Sequence, residues 1–194
     1  MIISARDPNY FSTVCSLLQR KMIGIVPCDT IYGLVGIAPE TENKIRAAKG
    51  RLETKPFLML THSMEMIKTF TDTLLPKELQ QFWPGPLTIL FPKIGSPDKI
   101  AFRIPNDPFL LQVLEKLDRP LYSTSVNISG KNFLWDIEEM KKEFHSKVGF
   151  IVDAGNLPYA VPSTIIDIST TPATLVREGA LAAKDIPVQM KISP

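Results

Sequence analysis

The chain has 194 residues, 44% of them hydrophobic and 22% charged, with a formal net charge of +2. That size and balance suit one globular domain with a real core, and the charge is too mild to argue nucleic-acid binding, although it leaves room for a local basic patch. The N-terminus lacks a basic start with an apolar core and cleavage site, and no apolar run is long enough to span a bilayer, so a soluble, cytoplasmic protein without a membrane partner is expected.

Residues 7 to 21 predict a helix, with Val14, Leu17, Leu18 and Met22 at helical spacing and Asp7-Pro8 as the start signal. Cys15 falls inside this apolar pattern and lacks metal-ligand spacing to Cys28, which favours a buried free thiol over a disulfide. MIGIVP is a short buried strand ending at Pro27, and CDTIYGLVG follows. Asp29 and Thr30 stand where a strand gives way to a turn, while Gly33 and Gly36 permit close backbone approach. A ligand site and a purely local turn-forming role both fit these residues.

A helix over 41 to 49, capped by Thr41 and terminated at Gly50, leads into KGRLETKP. Lys49, Arg51 and Lys55 cluster there with only Glu53 between them to offset the charge. Arg46 and Lys49 suit the negative end of the helix, but Arg51 and Lys55 lie past its terminator. Cations on a loop beside apolar strands suit a nucleotide phosphate, and a solvated charged loop is the competing reading.

PFLML is the next buried strand, with helices expected near 63–70 and 76–82. WPGPLTILFP follows as a rigid turn feeding a strand that contains Thr88, with Trp83 read as packing rather than as a stacking platform. Arg103 sits in IAFRIP among apolar neighbours, so it must snorkel out or meet an anion. An amphipathic helix over 107–117 precedes PLYSTSVNISG, a strand running into a hydroxyl-rich loop that an assembly of Ser/Thr turns would also explain. A charged helix from Trp135 to Lys147 carries His145, and His62 lies at a strand–helix junction. Neither has ligand or triad spacing, so no metal-ligating residues are expected. VGFIVDAG, PSTIIDI and ATLVREGA complete the strands, and the prolines (17 in all) read as structured turns. The expected architecture is a single α/β domain over residues 1–186, a twisted open mixed sheet flanked by helices, with 187–194 as a tail. Its singled-out polar residues fall at strand ends, where open α/β sheets bind ligands.

Taken in order, PCDTIYGL, KGR followed by KP, WPGPLT, RIP, STSVNISG, PSTIID and LVREGA resemble the YrdC/Sua5/TsaC family of threonylcarbamoyl-AMP synthases over residues of about 23 to 180. The resemblance implies a sheet around a large, positively lined cavity, similar to the fold of DHBP synthase of the riboflavin pathway. It also implies an activity that joins L-threonine, bicarbonate or CO2, and ATP into threonylcarbamoyl adenylate with release of pyrophosphate. The adenylate then serves t6A modification of tRNAs that read codons beginning with A, through tRNA threonylcarbamoyl-transfer proteins.

By the same resemblance, the catalytic KxR and SxN signatures are Lys49, Arg51, Ser125 and Asn127. ATP contacts fall on Arg51, Lys55, Ser125 and Arg177, and threonine contacts on Thr30, Arg103, Ser123 and Ser163. Lys49, Arg51 and Arg177 would stabilise the reacting phosphoryl group, with Mg²⁺ held mainly by ATP phosphates and water. Cys28 replaces the usual threonine, and Leu60 stands where longer members carry a histidine, with His62 two places on and on the same strand face. The chain resembles the short, single-domain form. A diverged paralogue and a module binding double-stranded RNA or tRNA are the alternatives; retained Trp83 to Thr88 and Asn127 weigh against the first, and the mild charge against the second.

Overall fold

A computed structural model describes residues 1–50, 56–157 and 161–192. Strands and helices run in the order β1 (Ile2–Ser4), α1 (Tyr10–Gln19), β2 (Gly24–Val26), β3 (Gly33–Ile37), α2 (Glu42–Lys49), β4 (Leu58–Leu60), α3 (Met64–Lys68) and α4 (Lys77–Gln80). They continue with β5 (Leu87–Pro92), β6 (Lys99–Arg103), α5 (Pro108–Leu117), β7 (Leu121–Ser125), α6 (Ile137–Phe144), β8 (Phe150–Asp153), β9 (Thr164–Asp167), β10 (Ala173–Arg177) and β11 (Met190–Ile192). The strands form one mixed sheet in the order β1-β8-β2-β3-β7-β4-β6-β5-β9-β10-β11. Among the described residues no helix is long and apolar enough to cross a membrane.

Alternation along the central strands sorts the apolar side chains into two layers. Ile25, Leu34, Met59, Tyr122 and Ile151 join one cluster, while Val26, Val35, Leu60, Leu121 and Val152, each one residue on or before, join the other. Helices α1 and α5 close the second layer through Val14, Leu17, Leu18, Leu110, Val113 and Leu114. Helices α2 and α6 pack on the first with Ile45, Ala48, Met140 and Phe144. Leu18 and Leu114 are fully buried, and each such side chain contributes on the order of 1.5–3 kcal/mol.

The helix ends follow their chemistry. Asp107 accepts from the Leu110 amide at 2.8 Å with Pro108 behind it, and Asp136 accepts from the Glu138 and Glu139 amides. Gly50 takes the left-handed conformation that ends α2, as its type and place predict. The sequence-predicted helices are otherwise longer than those formed, since end turns lacking the hydrogen-bond ladder fray.

Two parts of the sequence reading need correction. The stretch after Thr30 is not only a turn, because Gly33–Ile37 forms β3, fully buried and paired with both β2 and β7. Its glycines hid it from a β-propensity reading. Residues 190–192, inside the expected tail, pair with β10 as a parallel edge strand. Both cysteines are buried free thiols. Trp83 packs against the core and donates from Nε1 to the Leu87 carbonyl, as a packing residue should.

Candidate functional site

Seven adjacent strands, β3-β7-β4-β6-β5-β9-β10, each contribute to one cavity of about 440 Å³, well within the usual size of small-molecule sites. Its floor is set by strand register. Ser123 lies opposite Leu58, Leu58 beside Ala101, and Ala101 opposite Leu90, so four side chains from four neighbouring strands form one row. Gly33 lies opposite Ser125 in the next row. A Cβ on Gly33 would stand 2.9 Å from the Ser123 hydroxyl and 3.1 Å from Cys28 Sγ, so glycine keeps this wall open.

Thr30, Arg103, Ser123 and Ser163, drawn from four distant parts of the sequence, all line this cavity, and so do Ser125 and Arg177. The structure therefore brings together every expected threonine contact and two of the expected ATP contacts. Arg51 and Lys55 lie outside the described residues. Pro56 and Phe57, which follow them, line the cavity.

Arg103 is 2% exposed, and the anion it meets belongs to the chain itself. Its Nη1 donates to Asp29 Oδ1 at 2.9 Å, while Asp29 Oδ2 accepts from the Asn106 amide at 3.0 Å. The Arg103 Nε is buried and has no hydrogen-bond partner. Snorkelling is thus excluded, and Asp29, read from sequence as a turn-former or a general ligand position, is its ion-pair partner.

Arg177 donates from Nε and Nη2 to the Ser163 carbonyl, at 3.2 and 2.8 Å. A register irregularity between β9 and β10 falls between Leu175 and Arg177, the kind of local bulge that re-aims a side chain. Burial, then the charge of Arg103, depresses the Arg177 guanidinium from its ordinary range, so the two arginines sense one another. The Ser163 hydroxyl shares a 2.8 Å hydrogen bond with Thr88, and both residues are buried. Among the described lining residues the only charged groups are these two arginines, and no carboxylate joins them. The expected positive lining holds, tempered by Asp29 behind Arg103.

Lys49, expected to stabilise the phosphoryl group, lies beside the turn after β7. It is 3% exposed and does not line the cavity. Its Nζ donates to the Ser125 carbonyl and, at 2.8 Å, to Asn127 Oδ1, which also accepts from the Ser125 hydroxyl at 2.7 Å. Asn127 in turn donates to the Lys131 carbonyl. The lysine of one signature is thereby hydrogen-bonded to the serine and asparagine of the other, which sets the turn after β7 and the angle at which Ser125 enters the cavity.

The two departures resolve simply. Cys28 lines the cavity with its thiol pushed up to about 12 by burial, so it presents a neutral S–H, donated weakly to the Val26 carbonyl. Leu60 is fully buried in the layer under α5, and His62 lies 3.4 Å from Asp118 at the end of that helix; neither lines the cavity. Alternation did not carry His62 to the site because β4 ends at Leu60.

Sequence reasoning passed over Tyr32 and Phe133. Both line the cavity. The Tyr32 hydroxyl donates to the Gly155 carbonyl at 2.8 Å and accepts from the Ala154 amide at 3.0 Å, which fastens the loop after β8 beside the site. Burial, above all, raises this phenol's pKa, keeping it neutral. An apolar ring within a strand-turn gave no signal that it faced a ligand.

Residues 16–179 match the Sua5/YciO/YrdC family, described as telomere recombination. A protein of Pyrococcus abyssi named threonylcarbamoyl-AMP synthase is 33% identical over 183 residues, spanning 87% of this chain and 53% of its own length. The crystal structure of P. abyssi Sua5 complexed with L-threonine superposes with a TM-score of 0.85 at 26% identity, covering 98% of this chain and 62% of that one. The structure of E. coli YciO gives a TM-score of 0.82 at 21% identity and covers 96% of this chain and 98% of its own, a likeness of fold. The chain thus spans little more than half the length of the P. abyssi relative.

Proposed function

The chain belongs to the Sua5/YciO/YrdC family, and on that premise we propose that it is a threonylcarbamoyl-AMP synthase. It would join L-threonine, bicarbonate or CO2, and ATP into threonylcarbamoyl adenylate and pyrophosphate. The product would pass to tRNA threonylcarbamoyl-transfer proteins for t6A modification, in the cytoplasm. The observation that carries this reading is the convergence of Thr30, Arg103, Ser123 and Ser163 with Ser125 and Arg177 on one cavity.

Threonine's neutral amine adds to CO2 and releases a proton to solvent to give a carbamate, whose oxygen attacks the α-phosphorus as pyrophosphate leaves. No covalent nucleophile is required, so the chain's work is positioning and charge stabilisation. Arg103 receives the amino-acid carboxylate through its planar guanidinium, with hydroxyls of Thr30, Ser123 and Ser163 around the substrate. Arg177 and Ser125 face the nucleotide, and the family signature assigns Arg51 and Lys55 to the same substrate. Lys49 and Asn127 support Ser125 from behind. Among the described residues no three His, Cys, Asp or Glu side chains gather as a metal site. Mg²⁺ would therefore enter with ATP, held by phosphate oxygens and water, and would neutralise phosphate charge there.

The test is an omission series. Purified protein is given ATP, Mg²⁺, threonine and bicarbonate, each left out in turn, while pyrophosphate and the adenylate are followed by mass spectrometry. Pyrophosphate should appear only when all are present. Phosphate release without threonine, or no turnover from folded ATP-binding protein, would favour the diverged paralogue. Serine should be used less well than threonine, by about 1–3 kcal/mol, the usual discrimination for one methyl group.

A further inference from the structure

We infer that Asp29 is a positioning and selectivity residue: it fixes the side-on edge of Arg103 for a carboxylate and cancels the charge that would admit a phosphate to the amino-acid end of the cavity. The inference rests on the proposed reading of Arg103 as the carboxylate contact.

The geometry comes first. A guanidinium offers two edges for two-pronged contacts, one from Nη1 and Nη2 and one from Nε and Nη2. Asp29 engages Nη1 at 2.9 Å. That leaves the edge of Nε and Nη2, whose Nε is shielded from solvent and has no hydrogen-bond partner, so a carboxylate reaches it only once the side chains covering it give way. An unpartnered buried donor costs about 1–3 kcal/mol, a cost relieved when an acceptor arrives. Asp29 is itself held by the Asn106 amide, so its carboxylate bridges the turn after β2 to the end of β6 and the guanidinium cannot swing.

Charge supplies the second half. Arg103 and Arg177 sense one another in one cavity, yet among the described residues only Arg103 has a carboxylate partner, while Arg177 donates to the neutral Ser163 carbonyl. The ion pair side chains are 3% and 9% exposed, so solvent screens them little. With the Asp107 carboxyl also close enough to interact with Arg103 and Asp29, the Arg103 end carries no net positive charge and suits a zwitterionic amino acid, whose carboxylate carries one charge. The Arg177 end keeps its positive charge and suits polyanionic phosphates. Asp29 thereby separates two substrates that a uniformly basic cavity would allow to compete.

The experiment measures binding of L-threonine by calorimetry, with and without inorganic phosphate, in the wild type, Asp29→Asn and Asp29→Glu. Asparagine keeps the shape but offers one acceptor oxygen where two bonds are now made, and carries no charge. In Asp29→Asn, threonine affinity should fall by about ten-fold or more, the scale of a lost charge-assisted contact, while ATP affinity changes little. Phosphate should now displace threonine from this variant although it does not do so in the wild type. Asp29→Glu keeps the charge but shifts it by one methylene, so it should lose threonine affinity and still exclude phosphate. That variant keeps the inference open to refutation if Asp29→Asn fails to fold. A purely structural role for Asp29 would lower stability without introducing phosphate competition. Wild-type protein that takes no threonine would remove the functional reading and this inference together. Threonine binding in the wild type with unchanged affinity and no phosphate competition in folded Asp29→Asn would overturn the inference alone.

Discussion

Arg103 and Lys49 are both buried cations, 2% and 3% exposed, and they teach different lessons. Arg103 lines the cavity, is balanced by a carboxylate, and keeps a donor without a partner. Lys49 lies behind the cavity wall, and its ammonium donates to the Ser125 carbonyl and Asn127. Burial of a charge therefore does not identify a ligand contact. What distinguishes Arg103 is a donor left without a partner in a side chain that lines a cavity.

The largest break in this comparison should come from Arg103→Ala. It strands the Asp29 carboxylate in a buried site, and such uncompensated charges cost about 3–5 kcal/mol, to be read from urea denaturation. Arg103→Lys sharpens the point, since it keeps charge and loses the planar fork. Threonine's KM should rise well beyond that of ATP. Equal effects on both substrates would return Arg103 to a structural role.

Lys49→Met should cost about 1–3 kcal/mol, because it removes the donor to the Ser125 carbonyl and Asn127 Oδ1. Its kinetic signature should also differ. By loosening the turn that carries Ser125 it should impair nucleotide use, with threonine affinity near wild type by calorimetry. A selective loss of threonine would place Lys49 in the amino-acid site instead. Thr88→Val removes the hydrogen bond to the Ser163 hydroxyl with little change of shape. About 0.5–1.5 kcal/mol of stability should go with it, and threonine KM should rise modestly.

The smallest effect belongs to an ion pair far more exposed than either buried cation. Lys141 holds the Asp153 carboxyl below its ordinary range by hydrogen bonding, with the Gly155 amide adding to it. A depressed carboxylate stabilises the fold above its unfolded pKa, near 3.9, and loses that contribution as pH falls through the folded value. With both partners partly exposed, Asp153→Asn should cost no more than about 1 kcal/mol at neutral pH. The difference from wild type should vanish in strong acid. A constant difference across pH would mean that the charge is not its source.

The ladder of effects also marks what a sequence can disclose. The strands carrying Arg103, Ser123 and Ser163 were legible because apolar residues stop abruptly at polar ones. Their meeting in one place was legible from the family motifs. Asp29 as the partner of Arg103 was not, because a turn aspartate looks the same whether it caps its own loop or reaches a residue 74 positions on. The bonds from Lys49 to the Ser125 carbonyl and Asn127 were not legible for the same reason: its signature gives residue type and spacing, whereas its partners depend on which oxygens lie nearby. Strand β3 escaped because Gly33 and Gly36 lower strand propensity at positions where the neighbours leave no room for a side chain.

The row that floors the cavity joins β7, β4, β6 and β5, and of its three hydrogen-bonded pairs only β6–β5 joins strands consecutive in the chain. Beyond that hairpin the floor has no local precursor. Its walls run from Thr30 to Arg177, so loop-closure entropy must be overcome across most of the chain before any binding surface exists. Folding should then be slow for a domain of this size, and substrate can reward only the finished sheet, never a partial one. A ligand that needs this cavity would stabilise only molecules in which all of these strands have paired.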